Sequence, residues 1–472
     1  MIAEKKILFV RICGTGMSSL ALICKDLKAQ VKGVDLAYYP PVSTKLEEEG
    51  IPCYQMDQLN SLVNDWKPDI IIVGNALNGK SDEARFILES GLKYYSMPSF
   101  IEEFLIDIKK SVVIAGTHGK TTTTTMFSEL LFSIGKNPSY IIGGIPDFSG
   151  TNASYKKGEG YFVIEGDEYD TAFFDKGPKF LHYKPSISVV TSIEFDHADI
   201  YDDLEKIFDN FKKLTEITEK KVILCKDYKN NGKLASLIPP EKLRTYSVSD
   251  PTADIFLEKT GREGGFMKFS ALINGETHHF KTPFFGDQNL MNLGALISFL
   301  HLEGIEFDDS LKEGFETMKG IKRRQECIGS INGGLIYSDF AHHPTAAELT
   351  FNSFRQFFPD KEIYVIFDPA TNSNNLNIFE QKYTEVFINA DKVVIGHPPK
   401  LDRIPQEKRF SPQRIVKTIN IHSGSEKAFY IKEVDDIISW INDNSNPDSV
   451  TVVMSNSGFY DFFTKIRSFL SS

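Results

Sequence analysis

The chain has 472 residues, 41% of them hydrophobic and 25% charged, and a net charge of −11 at pH 7. A single core rarely extends over so many residues, so two or three domains are expected, globular in composition. The acidic balance argues against a nucleic-acid binder, although a local basic pocket for an anion is compatible with it. The longest apolar runs, such as "DIIIVG" (69–74), have the length of a strand and fall short of a membrane span.

The chain opens with "KILFVRI", a strand, followed by a helix over 17–27 and strands at "VKGVDL" and "DIIIVG". This alternation builds a parallel sheet covered by helices. Gly14 and Gly16 follow the first strand in "GTGMSS", and Ser19 stands where GxGxxG has its third glycine. Asp35 closes the next strand, where a dinucleotide fold places its ribose acid. These residues fit an NAD site, another diphosphate site or a tight strand-to-helix turn. A second unit starts at "SVVIAG" and continues through "GYFVIE", "ISVVTSI" and "KVILC". Residues 253–280 carry short β patterns and turn glycines. A helix follows over 287–304, with Leu290, Leu293, Leu296, Ile297 and Leu300 on one face. After "KRRQE" come strands at "GLIYSDFA", "EIYVIFD", "KVVIG" and "SVTVVMS". The expectation is three α/β domains over 1–110, 111–326 and 327–472. The five cysteines lack a CxxC or metal-ligand spacing, and the N-terminus lacks a signal-peptide core. Both suit a reducing cytoplasm.

The sharpest local signal is "VVIAGTHGKTTTTTMF" (112–127). Gly116, Gly119 and Lys120 lie between a strand and a helix, where backbone N–H groups and the helix N-terminus attract an anion. Lys120 reaches outer phosphates in such a loop, and the Thr121 hydroxyl ligates Mg²⁺. Ile114 stands where the eight-residue P-loop has its first glycine, so the motif is a shortened GxxGKT. Met126, Leu130, Leu131 and Ile134 have helical spacing, which places the threonine run in a helix despite its β-branched side chains.

"AGTHGKTTT", "FVIEGDEYDTAFFDK", "IEFDHADIYDDL", "DQNLMNLGA", "KRRQE" and "YSDFAHHPTA" occur in the order found in the Mur ligases, which the chain resembles along essentially its whole length. The resemblance implies a Rossmann-like N-terminal domain, a P-loop ATPase-like central domain and a Rossmann-like C-terminal domain. It implies ATP-dependent amide formation on UDP-N-acetylmuramate through an acyl phosphate. It places ATP on Gly116, Thr117, His118, Gly119, Lys120, Thr121 and Thr122, the adenine near Asn289 and Asn292, the ribose near Asp339, and Arg324 on the γ-phosphate after domain closure. Thr121, Glu165 and His197 become metal ligands, for Mg²⁺ or, because of the histidine, Mn²⁺. Lys120, His197 and Arg324 take the catalytic roles. Gly14, Thr15, Gly16, Met17, Asp35 and Asn75 match the UDP-sugar loop, with Asp35 at the uracil. His342, His343, Asn372 and Asn456 match the amine site.

Within the family, "GNALNG", "YYPPVST" and "AFFDKGPKFLHYKP" resemble a branch that adds the murein tripeptide L-alanyl-γ-D-glutamyl-meso-diaminopimelate rather than L-alanine. The latter two stretches are expected near the muramate or the closing domains. Several positions depart from the family pattern. Arg11 and Ala370 replace a glycine and an arginine, and "GGIPDFSGTNAS" is a longer loop than usual. Lys212, near the position of a carbamylated lysine in relatives, reads as a solvated lysine, and Arg323 as a solvated neighbour of Arg324. An NAD dehydrogenase and a catalytically idle UDP-sugar-binding or regulatory protein remain the alternatives of other classes.

Overall fold

Near the N-terminus the apolar runs become parallel strands β1 (Lys6–Val10), β2 (Gln30–Asp35), β3 (Cys53–Gln55), β4 (Ile70–Val73) and β5 (Lys93–Ser96), in spatial order β3-β2-β1-β4-β5. Every residue of β4 is buried, as helices on both faces of a parallel sheet require. The order reverses between β1 and β4, so the loops leaving these two strands meet at a topological switch point. The computed structural model describes residues 2–38, 42–194, 204–370, 375–399, 401 and 404–471.

The second sheet contains β6 (Lys109–Ala115), β7 (Ser139–Ile141), β8 (Ala153–Ser154), β9 (Gly160–Gly166), β12 (Ile187–Val190), β13 (Lys221–Cys225), β14 (Leu243–Ser247), β15 (Ile255–Glu263), β16 (Phe266–Ile273) and β17 (Glu276–Thr282). A separate antiparallel hairpin is made by β10 (Asp170–Ala172) and β11 (Asp175–Pro178). β6 lies between β9 and β12, parallel to both, so the loop after β6 is flanked by the C-terminal ends of its two neighbours. The short β patterns over 253–280 prove to be strands of nine, eight and seven residues that extend this sheet.

The threonine run forms the first turns of the helix Lys120–Ser133. Thr123, Thr124 and Thr125 are fully buried there. The hydroxyls of Thr124 and Thr125 donate to the carbonyls of Lys120 and Thr121, both at 2.8 Å, which satisfies them within the helix. Packing on the buried face thus overrides a modest helix propensity.

The third sheet has β18 (Glu326–Ile331), β19 (Gly334–Asp339), β20 (Glu362–Phe367), β21 (Lys392–Ile395), β22 (Ala428–Tyr430) and β23 (Ser449–Met454), in order β18-β19-β23-β20-β21-β22. It is parallel except for the β18–β19 pair.

Packing groups the chain into two units. The first is Met1–Gly261, Lys268–Pro283 and Leu290–Gly320; the second is Arg262–Met267, Phe284–Asn289 and Ile321–Ser472. Within the first unit one apolar cluster joins Ile7, Phe9 and Phe100 of the N-terminal segment to Phe162, Phe180 and Phe211 around the second sheet. Two of the tripeptide-branch stretches, "GNALNG" and "AFFDKGPKFLHYKP", lie in this packing, while "YYPPVST" falls partly outside the described residues. A Cβ on Gly79 of "GNALNG" would stand 3.0 Å from the Phe173 side chain, and Phe174 meets Tyr94 edge-on at 4.9 Å. Ser96 Oγ donates to Asp175 at 2.7 Å, and the His182 ring lies between Glu102 at 2.9 Å and Asp175 at 3.1 Å. These stretches therefore rivet parts of the first unit together. Among the described residues no helix is long and apolar enough to cross a membrane.

Candidate active site

The loop after β6 is built by its neighbours. Gly116 has φ +140°, and a Cβ there would stand 2.1 Å from Thr191 Oγ1, so no side chain fits. The Thr117 N–H donates to the Ser192 carbonyl at 2.8 Å, and the His118 N–H to Ser192 Oγ at 2.9 Å. Thr191 Oγ1 donates to the His118 carbonyl at 2.6 Å, and Thr117 Oγ1 accepts the Glu194 N–H at 2.9 Å. The loop is thereby stitched to the end of β12, and two of its N–H groups are already used. The N–H groups without an intrahelical acceptor are those of the next turn, Lys120, Thr121 and half-buried Thr122, beyond the N-cap Gly119 at φ +83°.

Lys120 Nζ donates to the Gly116 carbonyl at 2.6 Å and pairs with Glu168 at 2.9 Å. Both side chains are largely buried, 13% and 5% exposed. Glu168 belongs to "GDEYD" and has no role in the sequence reading; the signal available was a second glutamate three residues after Glu165. Thr121 Oγ1 donates to Glu165 Oε1 at 2.9 Å, and the Gly143 N–H donates to Glu165 Oε2 at 2.6 Å. A Cβ on Gly143 would stand 2.7 Å from Glu165 Oε1, so the glycine makes room for the carboxylate. Burial raises the Glu165 carboxyl above the ordinary glutamate value. A hydroxyl and a carboxylate oxygen this close form a hard-oxygen donor pair that fits Mg²⁺. His197 lies outside the described residues. Among the described residues no group of three or more His, Cys, Asp or Glu side chains is arranged to hold a metal.

At the first switch point, Gly14 is the N-cap of the helix Thr15–Asp26. The Ser18 and Ser19 hydroxyls return to the Thr15 carbonyl at 3.0 and 2.6 Å, which is how serine is accommodated in place of the third glycine. Gly16 admits Met97, whose Sδ would be 2.9 Å from a Cβ there. Met17 is buried in the core. Asn75 is exposed just beyond β4. Arg11 takes φ +68° and pairs with Asp35 at 2.7 Å. Asp35 also accepts the N–H groups of Cys13 and Leu36, both at 2.8 Å, and its own N–H donates to Tyr38 Oη at 2.9 Å. Its carboxylate is thus engaged by the chain itself. The same burial and the Asp35 charge push the Cys13 thiol up to about 12, so it is no nucleophile.

In the second unit Arg324 is exposed, its guanidinium 4.9 Å over the Phe340 ring. Arg323 reverses the sequence expectation of a solvated side chain. It stacks 4.4 Å over Phe463 and bonds to Ser455, whose hydroxyl donates to Asp368 at 2.7 Å. Asp339 is buried and accepts from the Gln325 N–H, the Ala341 N–H and Thr350 Oγ1 at 2.9, 2.9 and 3.1 Å. Asn289 donates to Gln325 at 2.9 Å, and Asn292 is buried in the first unit. His342 bonds to the Phe340 carbonyl at 2.9 Å, His343 is the exposed N-cap of the helix Pro344–Phe357, and Asn456 is half-buried just after β23. Ala370 folds back onto the Asp368 carbonyl, and Asn372 lies outside the described residues. Lys212 is exposed in the first unit, 4.0 Å from Glu216, as a solvated lysine would be.

Three family models match the chain: the Mur ligase family catalytic domain over 6–108, the Mur ligase middle domain over 114–300, and the Mur ligase glutamate ligase domain over 323–457. The UDP-N-acetylmuramate–L-alanyl-γ-D-glutamyl-meso-2,6-diaminoheptandioate ligase of Haemophilus influenzae is 32% identical over 98% of both chains. A UDP-N-acetylmuramate–L-alanine ligase of Lactobacillus helveticus is 33% identical over 83% of this chain and 84% of its own. The crystal structure of a murein peptide ligase from Psychrobacter arcticus is similar over 99% of both chains, with a TM-score of 0.66 and 29% identity.

Proposed function

The chain belongs to the Mur ligase family of ATP-dependent amide-forming ligases, and we propose that it joins UDP-N-acetylmuramate to the murein tripeptide L-alanyl-γ-D-glutamyl-meso-diaminopimelate, in peptidoglycan recycling. The observation that carries this reading is the end-to-end match to a relative named for that reaction. The L-alanine ligase match is as identical where it aligns, but covers less of both chains.

The proposed division of labour follows the sequence. Residues 1–110 hold the UDP-sugar through Gly14, Thr15, Gly16 and Asn75, with Asp35 and Arg11 bracing the loop from behind. Residues 111–326 hold ATP, and 327–472 hold the amine through His342, His343 and Asn456. ATP phosphorylates the lactyl carboxylate, giving an acyl phosphate and ADP. The peptide amine then attacks the carbonyl carbon, the new C–N bond forms, and phosphate departs with the electrons of the broken C–O bond. Anions must meet in this chemistry, so fixed cations and N–H donors are needed where charge accumulates. Lys120 supplies the cation by exchanging Glu168 for outer-phosphate oxygens, and the helix turn 120–122 supplies the amides. Thr121 and Glu165 would hold a divalent cation, which neutralises phosphate charge when bound. Exposed Arg324 is the family's γ-phosphate arginine, brought into use by closure, while Asp339 positions the Gln325 and Ala341 backbone.

The test is kcat/KM for the tripeptide against L-alanine, with ATP, UDP-N-acetylmuramate and product mass as readout. A large preference for the tripeptide is expected. Preference for free L-alanine would transfer the chain to the biosynthetic ligases, and turnover of neither would favour a catalytically idle protein.

A further inference from the structure

Glu129 lies on the helix that carries the phosphate loop, nine residues beyond Lys120, and is 6% exposed. A carboxylate so placed is costly unless its oxygens are matched by donors. The donors here are backbone amides. Oε1 accepts the Lys319 N–H at 2.7 Å and Oε2 the Gly320 N–H at 2.9 Å. The Gly320 carbonyl is held as well, accepting the Asp147 N–H at 3.0 Å. Gly320 takes φ +73°, a conformation that favours glycine. Just upstream, Gly314 of the helix Asp309–Thr317 lets that helix approach closely, since a Cβ there would stand 2.6 Å from Leu130 Cδ1. The last segment of the first unit is thus fastened to the phosphate-loop helix at two glycines.

Gly320 is also where the first unit ends, and the second resumes at Ile321. Within the second unit Arg323 is held through Ser455 and the Phe463 ring. Only Ile321, itself buried, and Lys322 stand between Gly320 and Arg323 along the chain. A helix is stiff along its axis, and Glu129 lies about 14 Å along it from Lys120 at 1.5 Å per residue. A small displacement of the first turn would therefore be carried to the Lys319 and Gly320 amides.

We infer that Glu129 is a positioning residue that couples nucleotide binding at the phosphate loop to the linker preceding Arg324. The inference rests on the ATP-dependent reading above. It extends that reading by assigning a role to a buried acid that touches neither substrate nor nucleotide.

The test uses the full chain as wild type, Glu129→Gln and Glu129→Ala. Amide hydrogen exchange is followed at Lys319 and Gly320 with and without a non-hydrolysable ATP analogue, beside analogue affinity and ligase kcat. In the wild type the analogue should slow exchange at these amides by roughly fivefold or more, the lower end of usual coupling factors. Glu129→Ala should abolish that response and lower kcat about tenfold, while analogue affinity stays within about twofold. Glu129→Gln keeps one acceptor oxygen and should fall between the two; it decides the matter if the alanine variant does not fold. An analogue response absent in the wild type, one that persists in Glu129→Ala, or a kcat that falls only in step with analogue affinity would each overturn the inference. A wild type that responds to the analogue but ligates nothing would defeat the ligase reading, while the exchange arm still decides Glu129.

Discussion

Replacing Lys120 with alanine removes a cation that stands 2.9 Å from Glu168, in a pair whose side chains are 13% and 5% exposed. Two consequences are expected, and they are separable. Turnover should fall by ~100-fold, the scale for losing one donor at developing transition-state charge. Stability should fall by about 3 kcal/mol, because Glu168 stays buried without its cation, and breaking a buried pair from one side costs ~3–5 kcal/mol. The double variant Lys120→Ala/Glu168→Gln removes both charges, so it should recover roughly 2 kcal/mol of that stability but none of the turnover. Urea denaturation reads the stability. The chain has two tryptophans, Trp66 and Trp440, one in each unit, so a Trp440→Phe background leaves Trp66 to report on the first unit. Ligation of UDP-N-acetylmuramate reads the turnover. If Lys120→Ala denatures within ~0.5 kcal/mol of wild type, the ion pair is energetically idle. If the double variant regains turnover, Lys120 serves to restrain Glu168 rather than to contact phosphate.

Gly143→Ala drives a methyl into Glu165 without removing any proposed ligand, and should raise the Mg²⁺ concentration for half-maximal activity about tenfold; an unchanged metal titration would separate Glu165 from the metal. Burial raises the Glu129 carboxyl from the ordinary 4.5 to about 7, despite its two amide donors. The fold therefore binds this proton more tightly than the unfolded chain, and stability attributable to Glu129 is lost as pH rises from 4.5 to about 7 and is level above that. Relative to Glu129→Gln, wild-type stability should fall by roughly 1 kcal/mol per pH unit inside that window, and parallel pH profiles would contradict it. Solution scattering should show compaction when an ATP analogue and UDP-N-acetylmuramate are present together, whereas identical profiles would argue against closure as the step that brings Arg324 into use.

What the sequence determined by itself is what is contiguous in it. β6, the GTHGKT loop and the helix Lys120–Ser133 are adjacent along the chain, so glycine positions, lysine and helical spacing declared a phosphate loop without any tertiary information. The strands formed by the apolar runs and the order of the family motifs were legible for the same reason. The tertiary structure decided which polar groups remain available, because that depends on residues far apart in the chain. Ser192 takes the Thr117 and His118 amides more than 70 positions away, and Glu168 takes Lys120 from 48. Arg11, Cys13 and Leu36 close around Asp35, contacts that its place in the sequence does not announce. Arg323 and Arg324 are indistinguishable as neighbouring letters, yet one is drawn onto Phe463 and Ser455 while the other stays exposed. The stretches "GNALNG" and "AFFDKGPKFLHYKP" mark the tripeptide branch by their letters, but only the packing shows that they fasten parts of the first unit to one another. A polar group's chemistry is written in its residue type, but its freedom to act is set by whichever donors and acceptors the sheet order brings within 3 Å, and pairing between distant strands is not encoded in local pattern.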